Sequence, residues 1–399
     1  MGKESAAPNP RPAFALLLGL SAGLGPFTID SYLPAMPAIG EDLGVADGPI
    51  QLTLAVTMTG FAIGQLVIGP WSDRVGRRMP LLVGLGLLIC ASVTSMLASD
   101  IGVLLAARML QGIGASSAAV IAVATARDAF SGRALPAALS GIAIVQSLAP
   151  LVAPVLGSLQ LMVVGWRGIF GLLSLYALVV LALVVPRLPQ NEASARSSDG
   201  VLVRYRRLLA DRTFAVLLLL AGLRFTALFT FLQWSPFLLQ RERGLSPQEF
   251  GIAFAVVTLG MMVGLQISPR AIRRGVSAAR LLWSSYLILL ASACLIALPV
   301  AGGLWIVVAG VVLLLGCGLG LPTIQILALA PHKRDAATVA GLIGASGFGT
   351  ASLLAPALSV VPEIVGRYDL SLALVVTGVA VLSAVISIRP LASMGDRLS

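Results

Sequence analysis

The fold is decided by a short charged segment, Gly69-Pro70-Trp71-Ser72-Asp73-Arg74-Val75-Gly76-Arg77-Arg78, and by its surroundings. The segment separates two long apolar runs, 49–70 and 79–99. Each run matches the roughly 20 apolar residues that a helix needs to cross a bilayer. The segment is therefore predicted to be a tight charged loop between two membrane-spanning helices.

The composition of the whole chain supports a membrane protein. Hydrophobic residues make up 58% of the 399 residues and charged residues 11%, and the mean hydropathy is +0.97. A typical soluble domain has roughly 45–50% apolar and about 25% charged residues. Such a chain cannot cover a water-facing surface with polar groups, which excludes a soluble globular protein.

Further apolar runs extend the pattern in both directions from the loop. The first run is too long for the core of a signal peptide, so we expect it to remain in the chain. The sequence predicts an all-α polytopic membrane protein with twelve transmembrane helices, at about 13–34, 49–70, 79–99, 101–127, 134–162, 167–187, 213–239, 249–270, 278–300, 303–330, 336–362 and 370–390.

The distribution of basic residues predicts the orientation in the membrane. An even number of spans places both termini on one face, here called the terminal face, and most of the 27 lysines and arginines fall there. The positive-inside rule makes this face cytoplasmic in a bacterial inner membrane. The net charge of +10 thus reflects topology, and we expect no nucleic-acid partner. The opposite face contains only Arg167, Arg241, Arg243 and Arg367.

A long polar segment divides the chain into two halves. Phe27-Thr28 recurs as Phe229-Thr230, and such weak internal similarity around a central linker is typical of duplicated transporters. We expect two pseudo-symmetric six-helix bundles. The predicted parts are a cytoplasmic tail at 1–12, a bundle at 13–187, a linker at 188–212, a second bundle at 213–390 and a cytoplasmic tail at 391–399.

The charged loop also carries a family resemblance. It fits the pattern G-x-x-x-D-R-x-G-R-R and resembles the loop between spans 2 and 3 of the major facilitator superfamily. Gly69 would permit close helix approach and Gly76 a tight turn. Ion pairs of Asp73 and Arg77 would hold the two halves together. The resemblance implies that Asp128 completes this charge relay and that the basic residues Arg74 and Arg78 belong to it; alternatively, the loop only orients the chain.

Two charged residues within spans point to proton coupling. Arg108 begins Arg108-Met109-Leu110-Gln111-Gly112-Ile113-Gly114, which resembles a superfamily pattern associated with proton movement. Asp30 lies in Asp30-Ser31-Tyr32-Leu33-Pro34-Ala35-Met36-Pro37, which looks like a segment of the Bcr/CflA drug-resistance branch. Both residues fall in the same half of the bilayer and could meet across a cavity. Alternatively, Arg108 snorkels to the interface and Asp30 is an interfacial acid.

The fifth span resembles the motif that the superfamily associates with exporters. Its motif residues are Ala149, Pro150, Ala153, Pro154 and Gly157. Small residues and two prolines four apart give a bent face that packs closely, although ordinary helix packing would explain it too.

The remaining site prediction is a central substrate cavity. Arg224 lies about 16 Å into span 7, where it either faces the cavity or pairs with Asp30. Helical spacing places Phe231 and Trp234 near it, either as an aromatic wall for flat ligands or, equally, as ordinary core residues. The predicted cavity residues are Asp30, Tyr32, Gln111, Gln146, Arg224, Phe231, Gln233 and Trp234.

The predicted function is proton-coupled efflux of small neutral or zwitterionic drugs of the phenicol or bicyclomycin kind. The partners would be the drug, protons and the lipid bilayer, and a monomer is the family's usual state. Cys90, Cys294 and Cys317 lie in apolar runs, and His332 is the only histidine, so we expect no metal site, no cofactor and no catalytic residue. Alternatives are export of an endogenous metabolite and, less favoured, a membrane receptor that does not transport.

Overall fold

The computed structural model describes residues 12–132, 134–188, 201–300, 302–332 and 335–398. Within these ranges all regular structure is helical. The helices are α1 (Pro12–Asp30), α2 (Met36–Leu43), α3 (Asp47–Val75), α4 (Arg78–Met96), α5 (Ile101–Ala129), α6 (Ala134–Val184), α7 (Val201–Ala210), α8 (Arg212–Pro236), α9 (Pro247–Arg273), α10 (Ala278–Ala297), α11 (Gly303–Leu329), α12 (Ala336–Ser359), α13 (Val361–Val365) and α14 (Tyr368–Leu398).

Eleven continuous helical segments are long and apolar enough to cross a membrane, and α6 crosses twice. The 51 residues of α6 form two helices joined at Gly165, whose summed length of about 77 Å is enough for two crossings of a bilayer. Its helical dihedrals are interrupted at Gly165, where φ is 66° and ψ is 179°. The prediction of an all-α protein with twelve spans is confirmed.

The first crossing contains a break that matters for the site. α1 ends at Asp30, a 3-10 turn covers Leu33–Ala35, and α2 continues to Leu43. Because the helix ends inside the span, carbonyl groups of its last turn lose their regular helical partners. The Phe27 carbonyl still accepts from Ser31 N at 3.3 Å, whereas the Thr28 carbonyl accepts from a side chain of another helix.

Each half contains one very close helix pair, α3 with α5 and α9 with α11. At these contacts a Cβ atom would overlap a backbone carbonyl oxygen of the facing helix, so that only glycine fits. The glycines and the residues whose carbonyls they face are Gly60 with Met109, Gly112 with Thr57, Gly260 with Val311, and Gly318 with Met261. The repetition of this contact shows that the two bundles are pseudo-symmetric.

The two halves meet along α3 with α12 and α6 with α9. A Cβ atom at Gly251 of α9 would lie 2.7 Å from Ser158 Oγ and 2.9 Å from the Pro154 carbonyl oxygen of α6. The backbone of Gly251 in the second half therefore packs directly against Ser158 and Pro154 of the first half.

The helix α7 lies within the segment predicted as the linker, 188–212. It packs against α8 and α12 of the second half, and the Tyr205 hydroxyl donates to the Leu66 carbonyl oxygen of α3 at 3.3 Å. α7 thus touches both halves on the terminal face. The predicted N-terminal tail lies outside the described residues apart from Pro12, and the side chains of the C-terminal tail do so as well.

Candidate functional site

The site is built around the buried cation Arg108 of α5. Its side chain has no solvent exposure. Nη1 donates to the Thr28 carbonyl oxygen at 3.0 Å and to Gln111 Oε1 at 2.9 Å. The guanidinium carbon lies 4.5 Å from the centre of the Tyr32 ring. Thr28 is among the last residues of α1, so the guanidinium sits at the negative end of that helix, where a cation is stabilised.

The cluster around Arg108 contains polar residues that the sequence analysis missed. The Tyr32 hydroxyl and Thr53 Oγ1 share a hydrogen bond of 2.7 Å, and Gln111 Nε2 donates to Ser92 Oγ at 2.9 Å. Tyr32 and Gln111, predicted to line a cavity, are thus fixed inside the first bundle. The signal for Thr53 and Ser92 was their polarity within apolar runs, which does not indicate a partner.

The acid Asp30 is buried at the end of α1 and is 5% exposed. In the described part of the chain its carboxylate has no hydrogen bond and no ion pair. The predicted meeting of Asp30 with Arg108 is therefore not formed in this conformation. The reason is geometric: the guanidinium reaches the carbonyl two residues earlier on the same helix.

Arg224 of α8 points into the second bundle. It is 1% exposed, and Nη2 donates to Ser285 Oγ at 2.9 Å. Its guanidinium carbon lies 5.1 Å from the centre of the Tyr286 ring. A Cβ atom at Gly320 would lie 2.9 Å from the guanidinium carbon, so this glycine makes room for it. In this conformation Arg224 contacts α10 and α11 of its own bundle, and among the described residues it makes no ion pair with Asp30. Its role in substrate binding stays a prediction.

Phe231 and Trp234 pack in different places in this conformation, as the alternative of ordinary core packing expects. Phe231 is fully buried against Phe254, with ring centres 6.3 Å apart. Trp234 lies at the junction of the halves, where Nε1 donates to Gln51 Oε1 at 3.1 Å. Successive turns of α8 face different neighbours, which separates side chains that helical spacing alone placed together.

The other two predicted cavity residues lie on different helices. Gln233 is 3% exposed within α8, and Gln146 of α6 is half-buried. Neither of them lines either of the two cavities described below. None of the eight predicted residues lines either of these two cavities, and their common site stays a prediction.

The segment predicted as a charged loop is mostly helical: residues 69–75 continue α3, and only Gly76 and Arg77 lie between α3 and α4. This charged loop forms a compact ion-pair network. Arg77 Nη1 lies 2.6 Å from Asp73 Oδ1, and Nε lies 2.8 Å from Asp128 Oδ2. Nη1 also donates to Ser72 Oγ at 2.7 Å. Burial lowers the pKa of Arg77, but Asp128 and Asp73 together raise it more, and the net shift is upward. Gly76 turns the chain with φ of 85°, a conformation that favours glycine.

One expectation for this loop, the close helix contact at Gly69, is wrong, and another, that its ion pairs hold the halves together, stays a prediction. The ion pairs of Arg77 join α3 to α5 inside the first half, and in the described residues none of them reaches the second half. A Cβ atom at Gly69 would meet nothing within 4 Å, so Gly69 does not mediate a close helix contact. Arg74 and Arg78 are exposed on the terminal face.

The exporter-like motif of α6 faces two neighbours. A Cβ atom at Gly157 would overlap the Ser31 carbonyl oxygen just after α1. Pro150 faces the second half, where Thr258 Oγ1 donates to its carbonyl oxygen at 3.5 Å. Ala153 is buried. Of the remaining motif positions, Ala149 lines a cleft between α1 and α6 that is described below. Pro154 contacts α9.

A network missed by the sequence analysis closes the opposite face. Asp47 of the first half pairs with Arg241 of the second, and the Tyr368 hydroxyl donates to Asp47 Oδ2 at 3.0 Å. Gln51 Nε2 donates to the Tyr368 hydroxyl at 2.8 Å and, through Oε1, holds Trp234. The charges were visible at the span ends, but nothing in the sequence shows which of them meet.

Two cavities bear on the site. A lateral cleft of about 500 Å³ lies between α1 and α6, with mostly apolar walls that include Phe27, Val145 and Tyr176. A second cavity of about 460 Å³ lies between the halves on the terminal face, and we call it the terminal vestibule. It is lined by Gln65, Asp73 and Arg77 together with residues of α5, α7 and α12. The molecule is thus closed on the opposite face and hollow on the terminal face.

Comparisons with known proteins agree with this architecture. The chain is 38% identical over 266 residues to YdgK of Bacillus subtilis, an uncharacterized MFS-type transporter. The match covers 65% of this chain and 66% of YdgK. It is 32% identical over 390 residues to a chloramphenicol resistance protein of Pseudomonas aeruginosa, 94% of this chain and 91% of that protein. It is 30% identical over 256 residues to the multidrug resistance protein MdtL of Escherichia coli, 64% of each.

Solved transporters share the fold at low sequence identity. A mutant of the nucleoside transporter NupG matches with a TM-score of 0.75 and 13% identity, over 95% of this chain and 99% of that one. The D-xylose–proton symporter matches with a TM-score of 0.73 and 13% identity, over 94% of this chain and 97% of that one. The Major Facilitator Superfamily profile matches residues 18–356. The chain therefore belongs to the Major Facilitator Superfamily and is a membrane transporter of small molecules, not an enzyme.

Proposed function

We propose that the protein exports small neutral or zwitterionic drugs across the bacterial inner membrane in exchange for protons, by alternating access. The drug class is supported by two relatives whose names refer to chloramphenicol resistance and to multidrug resistance. The moving bodies would be the bundles 13–187 and 213–390. Basic residues concentrated on the terminal face support a cytoplasmic location for that face.

The observation that carries proton coupling is the environment of Asp30. It is buried inside the first crossing, without a hydrogen bond or ion pair in the described residues, and it lies two residues beyond the carbonyl that Arg108 binds. A charged carboxylate without a partner is costly inside a bilayer, whereas a protonated carboxyl is not. Uptake and release of a proton at Asp30 is therefore the simplest way to carry charge through this half.

The charges inside the spans favour neutral or zwitterionic substrates. Asp30 is accompanied by two buried arginines, Arg108 and Arg224, so the interior of the spans carries no surplus of negative charge to hold a dication. One proton crossing about 100 mV releases ~2.3 kcal/mol. This free energy supports about fifty-fold accumulation of an uncharged drug.

The decisive experiment measures proton-driven uptake of labelled chloramphenicol into inverted membrane vesicles. We expect Asp30→Asn to lower this uptake by at least about tenfold, because an amide cannot take up the proton. A tenfold change is equivalent to ~1.4 kcal/mol. Counterflow exchange without a gradient should remain. The matched control is Glu363→Gln, which removes an exposed acid on the opposite face.

Unchanged proton-driven uptake by Asp30→Asn would reject Asp30 as the coupling residue. Resistance to dicationic dyes without resistance to phenicols would reject the substrate class. Transport of amino acids or purines in place of drugs would favour the alternative of metabolite export.

A further inference from the structure

The floor of the terminal vestibule holds a polar group without a partner. Gln65 of α3 projects its carboxamide against Gly344 of α12, where a Cβ atom would overlap Gln65 Oε1. Oε1 is buried and has no hydrogen-bond partner among the described residues. Gln65 lies about 15 Å from the end of α3, so this amide is inside the membrane region. A carboxamide placed there without a partner is unfavourable unless a ligand or water completes its hydrogen bonds.

The walls of the vestibule carry charges of both signs. Asp73 and Asp128 come from the charged loop and the end of α5, and Arg127 stands beside them. Arg204 and Tyr205 of α7 form the outer wall. A cavity lined in this way suits a neutral polar or zwitterionic molecule better than an ion of one sign.

A cluster of mutually packed aromatic rings lies beyond the carboxamide, outside the lining of the vestibule. Phe61 lies about one turn from Gln65 on α3, and Phe348 about one turn from Gly344 on α12. Their ring centres are 5.2 Å apart and stacked. Phe225 and Phe229 of α8 add rings at 5.2 Å and 5.5 Å from Phe348. The four rings join α3 of the first half to α8 and α12 of the second.

The helix α7 ties the vestibule to both halves. Tyr205 reaches the Leu66 carbonyl oxygen, next in sequence to Gln65, while the helix packs on α8 and α12. A molecule in the vestibule would therefore contact the charged loop, the carboxamide and the linker helix at once. The volume of about 460 Å³ is in the range of sites for drug-sized ligands.

We propose that the terminal vestibule is a substrate-recognition site in which the Gln65 carboxamide hydrogen-bonds a neutral or zwitterionic molecule that carries hydroxyl or amide groups. The helix α7 would form the outer wall of this site. This inference rests on the proposed function for the direction of transport. It adds a recognition site on the terminal face, separate from the region of Asp30 and Arg108.

The test is protection of an introduced cysteine in the full chain. The native Cys90, Cys294 and Cys317 are replaced by serine, and Ala340, which lines the vestibule, is replaced by cysteine. Saturating chloramphenicol should slow maleimide labelling of A340C by about threefold or more, because the bound molecule covers the site. Arg280→Cys, exposed on the terminal face outside the vestibule, is the control and should show no protection.

The role of Gln65 is tested in the same cysteine background. Gln65→Leu keeps the size of the side chain and removes its hydrogen bonds, so protection of A340C should be lost while labelling without drug is unchanged. In transport, Gln65→Leu should raise the KM for chloramphenicol by about tenfold, equal to the loss of one good hydrogen bond, with the maximal rate retained. For Gln65→Asn we expect a KM between that of the protein with Gln65 and that of Gln65→Leu.

Each outcome decides the inference. The inference is overturned if chloramphenicol does not protect A340C while Gln65 is present. It is also overturned if protection is equal after Gln65→Leu. If chloramphenicol is transported in a proton-driven manner without protection, the proposed function stands and only the vestibule site fails. If chloramphenicol is neither transported nor protective, both proposals are wrong for this class of molecule.

Discussion

At the scale of single residues, Arg108 shows how a cation is tolerated inside a membrane protein without a paired acid. Its ligands are a backbone carbonyl at the end of α1, the Gln111 amide and the face of Tyr32. The carbonyl is free because α1 ends at Asp30. The helix end, the amide and the aromatic ring together replace a carboxylate.

The first prediction concerns the substitution of Arg108. Arg108→Gln should lower proton-driven uptake by at least about tenfold, equivalent to ~1.4 kcal/mol, since it removes the cation that binds the Thr28 carbonyl two residues before Asp30. Arg108→Lys should retain part of the uptake, because an ammonium can reach the Thr28 carbonyl but cannot lie flat over Tyr32. Uptake in vesicles and thermal stability in detergent are measured together. Full uptake by Arg108→Gln would contradict the role given to this charge.

At the scale of helices, the contact between α6 and α9 depends on residues with little or no side chain. Gly251 lies against Ser158 and the Pro154 carbonyl, and Thr258 reaches the Pro150 carbonyl. The contact lies where the two halves meet, so it must separate or slide if the halves move relative to each other. Its strength thus comes from shape rather than from charge.

The second prediction tests this contact by adding volume. Gly251→Val should separate α6 from α9 and lower uptake by about tenfold or more, because overpacking a tight contact costs about 1–3 kcal/mol. Gly141→Val is the matched control on α6, since a Cβ atom there meets nothing within 4 Å. Uptake and melting temperature are compared for the two variants. Equal behaviour of both would show that the close contact has no role in transport.

At the scale of the whole molecule, the structure is closed on one face and hollow on the other. Asp47, Arg241 and Tyr368 hold the halves together on the opposite face, whereas the terminal vestibule separates them on the terminal face. The side chains of Asp47 and Arg241 are 21% and 36% exposed, so water can reach the pair. An exposed pair is worth little singly, about 0–1 kcal/mol, and several contacts are needed to hold the face shut.

The third prediction is that weakening this network increases the population of molecules open toward the opposite face. Asp47→Asn removes the charge that binds both Arg241 and Tyr368, and we expect longer distances between spin labels at Leu97 and Ile364. These two residues are exposed on the opposite face, one in each half. The double variant Asp47→Arg with Arg241→Asp should restore part of the closed population, since it rebuilds the pair. An unchanged distance distribution in Asp47→Asn would show that this network does not hold the face closed.

Much of the architecture could be predicted because its causes are local. Apolar length predicts a span, and the excess of basic residues predicts a face. The turn at Gly76 could be read from the loop itself. The break at Gly165 was predicted only as a gap between two runs, and α7 only as part of the linker 188–212.

The site was predicted less well because its contacts join distant positions. Arg108 was singled out correctly as buried, but its partner is the Thr28 carbonyl, and no side-chain pattern reveals a backbone acceptor. Arg224 was assigned to the cavity because its depth was known and its rotation about the axis of α8 was not. Gln65 and Gly344 are far apart in sequence, and neither belongs to a charged motif.

The sequence by itself determined the number of spans, the bias in charge and the charged loop, because hydrophobic length and charge act through the nearest residues. Only the tertiary structure decided which polar groups inside the membrane have partners. The Asp47–Tyr368 contact joins residues 321 positions apart. Such contacts depend on how each helix is rotated and how closely its glycines let it approach, and both are properties of packing between helices.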